Sequence, residues 1–108
     1  MTTIQDTLTY IDGTNANGRV VVSWPAFQVG ANAVANGQQI WSIINGAVNI
    51  QIYANQNAQP AGVYYTAAYE LERGPRYEEY WIVPDLPSVP LGQVRVIFPV
   101  TPAVAKPS

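Results

Sequence analysis

The chain has 108 residues, enough for one domain, with 48% apolar residues, only 11% charged residues and a net charge of −2. Histidine and cysteine are both absent, which excludes a disulfide framework, thiolate metal sites and nucleophiles activated by imidazole. The basic residues Arg19, Arg73, Arg76, Arg95 and Lys106 are scattered, so the basic stripe of a nucleic-acid binder is missing, and no apolar run reaches the ~18 residues of a membrane span.

Polarity comes instead from eight Asn, eight Gln and many Ser and Thr. Such a surface steers poorly but hydrogen-bonds specifically. Half of the twelve charged side chains fall within residues 70–79. The opening Met1-Thr-Thr-Ile-Gln-Asp has neither the basic nor the apolar region of a signal peptide.

Seven segments read as strands. Ile4–Ile11 is the first, closed by Asp12-Gly13, and Arg19–Trp24 the second, opened by Asn17-Gly18 and stopped by Pro25. Ala26–Gly37 shows no clear period. Gln38–Ile44 and Ala47–Tyr53 flank Asn45-Gly46, the pair that best suits a type I′ hairpin turn. A two-residue loop sets Ile43 against Val48, Trp41 against Ile50 and Gln39 against Ile52. Trp41, Ile43, Val48, Ile50 and Ile52 then share one face, with Ser42, Asn49 and Gln51 on the other.

After the polar loop 54–62, Val63–Leu71 places Val63, Tyr65, Ala67, Tyr69 and Leu71 on one face. Glu72-Arg73-Gly74-Pro75 turns the chain into Arg76–Val83, and prolines 84, 87 and 90 interrupt the ladder before a last strand, Leu91–Phe98. The pattern predicts an all-β domain over residues 1–98, a seven-stranded antiparallel sandwich, with a jelly roll or small barrel as the other topology. Residues 99–108 are proline-rich and are expected to form an extended arm. Pro99, Val100, Pro102, Val104 and Pro107 would make its contacts if it straps a neighbour, and otherwise it is a loose end.

The carboxylates Glu70 and Glu78 fall opposite each other if the loop is Arg73-Gly74-Pro75, the arrangement an acid–base pair requires. The competing reading is a solvated hairpin tip where Arg73 and Arg76 neutralise Glu72, Glu78 and Glu79. A Ser or Thr nucleophile has only Lys106 as base. Asp12-Gly13-Thr14-Asn15 lacks the repeated acidic spacing of a calcium loop and reads as a turn. Seven Tyr and three Trp leave aromatics as contact candidates. Alternation puts Tyr64 and Tyr80 off the core face, with Tyr53 beside them, while Trp24, Trp41, Trp81, Tyr65 and Tyr69 read as core. Prolines 25, 84, 87 and 90 and the charges near 70–79 read as edge protection.

The stretch Leu8-Thr-Tyr-Ile-Asp-Gly-Thr-Asn-Ala-Asn-Gly-Arg-Val-Val-Val-Ser-Trp-Pro-Ala-Phe27 resembles the opening of small transthyretin-like (prealbumin-like) sandwich modules. Pro60-Ala-Gly-Val-Tyr-Tyr-Thr-Ala-Ala-Tyr69 is similar to their Ala-Gly-x-Tyr strand opening, and Tyr80-Trp-Ile-Val-Pro84 to their penultimate strand. The resemblance covers about residues 8–98. It implies a module of phage and prophage virion proteins or of bacterial surface proteins. The expectation is a non-enzymatic virion structural protein without cofactors, a capsid decoration or tail accessory subunit assembled in the host cytoplasm. Its partners would be itself or capsid and tail proteins. The alternatives are a carbohydrate-binding or adhesion module using Tyr53, Tyr64 and Tyr80, or an extracellular filament subunit.

Overall fold

A computed structural model describes residues 1–96. They form ten strands and one short helix: β1 (Thr2–Thr7), β2 (Gly18–Trp24), β3 (Phe27–Val29), β4 (Asn32–Val34), β5 (Gly37–Ile43), β6 (Ala47–Ile52), β7 (Tyr65–Leu71), β8 (Tyr77–Trp81), β9 (Ser88–Val89), α1 (Leu91–Val94) and β10 (Arg95–Val96). The protein is all-β, its antiparallel sheets packed as a sandwich. One sheet has the order β10-β8-β7-β2-β5 and the other β6-β1-β9, with β3-β4 as a separate ribbon. Within the described residues β1 and β9 run parallel, the exception to the antiparallel expectation.

Alternation decides which side chains meet between the sheets. Ile4, Val48, Ile50, Ile52 and Val89 from the smaller sheet face Val20, Val22, Ile43, Tyr65, Ala67, Tyr69 and Trp81 from the larger. Each fully buried aliphatic side chain contributes about 1.5–3 kcal/mol. Trp81, Tyr65 and Tyr69 are core as expected, whereas Trp24 and Trp41 are half-buried at its margin.

The hairpin expected across Asn45-Gly46 does not form. The turn is present, with Asn45 at φ 53°, Gly46 at φ 82° and Ala47 N–H donating to Ile44 O at 3.0 Å. Beyond it the strands part: β5 pairs with β2 and β6 pairs with β1. Ile43 and Val48 therefore face each other across the core rather than within one ladder. The cause lies in the connection between β1 and β2, which crosses between the sheets beside the turn and takes up its hydrogen bonds. Gly46 N–H donates to Ala16 O at 2.7 Å, Leu8 N–H to Gly46 O at 2.8 Å, and Asn45 N–H to Asn17 Oδ1 at 2.7 Å. The five residues assigned to one face do turn toward the core, and Ser42, Asn49 and Gln51 turn outward.

Other segments also depart from expectation. The first strand ends at Thr7, because Tyr10 N–H bonds back to Thr14 O and Gly13 N–H to Tyr10 O in a tight loop. The aperiodic stretch 26–37 contains the β3–β4 hairpin, and Gln28 of β3 pairs with Gln59. The expected last strand opens as helix α1, which buries Leu91 and Val94, before β10 resumes the ladder. Residues 97–108 lie outside the described residues, and with them the contact candidates Pro99, Val100, Pro102, Val104 and Pro107.

Asn55 holds the loops that follow β6. It is 2% exposed; its Nδ2 donates to Val63 O at 3.3 Å and Trp81 O at 3.4 Å, and its Oδ1 accepts from Val83 N–H at 2.6 Å. Buried backbone groups need such partners where no ladder reaches them.

Candidate contact surfaces

Because Tyr65, Ala67 and Tyr69 point into the core, β7 turns Thr66, Ala68 and Glu70 to the outer face of the large sheet, and Tyr64 precedes them on the same side. Thr66 pairs with Tyr80 of β8. Tyr64 and Tyr80 therefore meet, ring centroids 5.0 Å apart and planes at 76°. A shallow basin of about 410 Å³ adjoins Tyr64, lined also by Ser23, Trp24, Pro25 and Thr66. Tyr53 is placed elsewhere. It lines a groove between the sheets, and its carbonyl accepts the Tyr65 hydroxyl at 2.7 Å. Burial pushes that hydroxyl's pKa well up. The core alternation of β6 ends at Ile52, so the pattern carries no information about where Tyr53 points.

The Glu70–Glu78 apposition that a loop of Arg73-Gly74-Pro75 would create does not form. Tyr69 pairs with Tyr77 and Ala68 with Glu78, a register two residues away from one that sets Glu70 against Glu78. Gly74, at φ 86°, takes the left-handed position that closes a three-residue loop of residues 72–74. Arg76 then lies between the two acids, 3.2 Å from Glu70 Oε2 and 3.6 Å from Glu78 Oε2. Arg19 adds a 2.6 Å contact to Glu70 Oε1. The hydrogen bond from Arg19, with Arg76 adding to it, holds the Glu70 carboxyl below the usual range, opposite to the shift a general acid needs.

Asp12, Arg73 and Glu79 are also committed to structure. Arg73 stacks on Tyr10, 3.8 Å from the ring centroid, and reaches Asp12 at 3.3 Å. Asp12 Oδ1 in turn accepts from Thr14 N–H and Thr14 Oγ1. The Thr14 contacts and then Arg73 hold the Asp12 carboxyl far below its ordinary range. The loop is a turn clamped by a guanidinium, and among the described residues no three acidic side chains gather to hold a metal ion. Glu79, expected at a solvated tip, points inward. Its Oε1 accepts from Tyr69 Oη at 2.5 Å and Trp81 Nε1 at 3.0 Å, and its Oε2 from Arg95 Nε at 2.8 Å.

Charge is thus segregated across the molecule. From Val20 to Tyr69 the chain contains no Asp, Glu, Lys or Arg. That span supplies both β5 and β6, the edge strands on one flank of the two sheets. The opposite flank ends in β9, two residues long, and in β10, which is described over Arg95–Val96. Pro87 and Pro90 bracket β9, while Arg95 of β10 pairs with Glu79 of β8. Short strands, prolines and inward charges are the usual protections of a sheet edge. Among the described residues, the β5–β6 flank has none of them. Between its strands runs an apolar groove of about 210 Å³, lined by Trp24, Val34, Gln39, Trp41, Gln51 and Tyr53 among others. The charge-free span was visible in the sequence as the complement of the cluster at 70–79. Only the pairing places it along one flank.

No family model matches this chain, and no curated protein matches its sequence.

Proposed function

We propose that this chain is a non-enzymatic structural protein of a bacteriophage virion, a capsid decoration or tail accessory subunit that works through protein–protein contacts. The observation that carries the reading is the segregation of charge, which leaves a flank whose strands carry no charged side chain and an aromatic basin available for contact. Interface cores are depleted in charge and enriched in Tyr and Trp, and amides supply the hydrogen bonds around them. The transthyretin-like resemblance over about residues 8–98 belongs to the same proposal. So does assembly in the host cytoplasm.

The test is mass spectrometry of particles purified by density gradient from the induced source culture. The expected result is the chain at a fixed ratio to the major capsid or tail protein. Its absence from particles, with all of it in the soluble fraction, would overturn the reading.

A carbohydrate-binding module is the second reading, favoured by the Tyr64–Tyr80 pair beside a basin lined by Ser23 and Thr66. The 76° angle between the rings offers one ring face and one ring edge, so the pair does not form a flat stacking platform. A glycan array of the wild type beside Tyr64→Ala separates the readings. Binding lost on substitution supports the module, and an empty array removes it.

A further inference from the structure

We propose that the β5–β6 flank is a self-association site, through which a second copy of this chain adds its β5 antiparallel to the first across a two-fold axis. The occupant follows from the chemistry of the flank itself.

Beyond its ladder to β2, β5 has no second hydrogen-bonded strand among the described residues. Half the backbone donors and acceptors of an outermost strand point away from its sheet, and another extended strand satisfies them. A two-fold contact apposes each surface to itself, so any net charge there meets its own sign. The span Val20–Tyr69 carries none, and the charge each copy brings to the groove is the amino group of Met1, which also lines it. This flank tolerates self-apposition, whereas the charged face around Glu70, Arg76 and Glu78 would meet its own charges again.

A two-fold axis normal to the sheets also brings the β6 edges and the two grooves together, so that Trp41 and Tyr53 on each side are covered by the neighbour. Ile40 and Ile44, 51% and 71% exposed, lie on or next to β5 and approach their counterparts. A seven-residue strand is about 24 Å long at ~3.4 Å per residue. Across the 21 Å smallest extent of the molecule, that length covers roughly 500 Å² per copy, about 1,000 Å² for the pair, where specific interfaces begin. The new ladder adds about six backbone hydrogen bonds. The inference goes beyond the virion reading and does not depend on it, since a pair can form with or without a particle to bind.

The test uses the full chain in sedimentation velocity. Gln39 and Gln51 are exposed at the rim of the groove, so Gln39→Glu/Gln51→Glu and Gln39→Lys/Gln51→Lys leave the core intact, and matching circular dichroism melts check this. The wild type is expected to be a dimer, as is Gln93→Glu, an exposed substitution on the opposite flank. Each doubly charged variant alone is expected to dissociate, its affinity falling at least about tenfold through like-charge apposition. Mixing the Glu and Lys variants should restore a dimer. The proposal is overturned by a monomeric wild type, by charged variants that dimerise as the wild type does, or by a mixture of folded variants that stays monomeric. Absence from virions combined with a dimer that responds as described would overturn the virion reading alone.

Discussion

Replacing Asn55 with Leu strips three hydrogen bonds from a site that water does not reach. Val83 N–H loses its only described acceptor, at 2.6 Å, and Val83 is fully buried. An orphaned buried donor of this kind costs about 1–3 kcal/mol. The carbonyls of Val63 and Trp81 lose longer contacts of 3.3 and 3.4 Å, each worth less. Leu fills a similar volume, so the cavity component is small, and a total of roughly 2–4 kcal/mol results. For a domain of this size that lowers Tm by roughly 10–25 °C. Asn55→Asp sharpens the test. It keeps the Oδ1 acceptor for Val83 but turns a second acceptor toward two carbonyls. Burial and those carbonyls disfavour the ionised acid and raise its folded pKa above the ordinary carboxylate value of about 4. A group with a raised folded pKa stabilises below its unfolded pKa, and that stability is lost as pH rises through the folded value. The deficit of Asn55→Asp against wild type should therefore be smallest near pH 4 and grow toward neutrality, while that of Asn55→Leu stays flat. Urea denaturation followed by tryptophan fluorescence at several pH values measures both. A loss below about 1 kcal/mol for Asn55→Leu, or a pH-independent deficit for Asn55→Asp, would refute the reasoning.

Gly18→Ala should destabilise the domain by roughly 1–3 kcal/mol, because Gly18 sits at φ 151° and a Cβ there would lie 2.4 Å from Glu70 O and 2.6 Å from Leu71 Cα. Equilibrium unfolding checks this, with Gly13→Ala as a comparison at a positive φ without a neighbouring atom. Asp12 should titrate well below the ordinary carboxylate range in a side-chain NMR titration, and Arg73→Ala should raise its value partway. Since the folded pKa is depressed, the loop's contribution holds above the ordinary carboxylate value and is lost as pH falls through the folded one.

Much of the fold was legible because alternation reports burial directly. The β6 residues Val48, Ile50 and Ile52 alternate with Ala47, Asn49 and Gln51 and are buried as that pattern requires. The positive-φ preference of Asn-Gly likewise located the turn at residues 45–46. Tyr64 and Tyr80 followed from the same logic as the outward complement of Tyr65 and Trp81. The failures share a cause in partner choice. The Glu70–Glu78 pairing depended on a loop register that Gly74 decides through its φ, and a shift of two residues leaves every side chain on the same face, so the pattern does not detect it. Glu79 was assigned to solvent by its charge, yet Tyr69, Trp81 and Arg95 supply the donors that let it point inward.

By itself the sequence determined which side chains of β6 and β7 face the core, that the chain turns at Asn45-Gly46, that imidazole and thiolate chemistry are absent, and that charge is confined to part of its length. Those are local properties, set by residue type and by a period of two. Tertiary structure alone decided that β5 and β6 part at their turn to join different sheets, and that the uncharged span becomes one unprotected flank. Alternation fixes a side chain's face but is indifferent to whether the residue opposite belongs to the same sheet or to the one across the core. That choice rested on the hydrogen bond Leu8 N–H donates to the turn and those Ala16 and Asn17 accept from it, some thirty residues away in the chain.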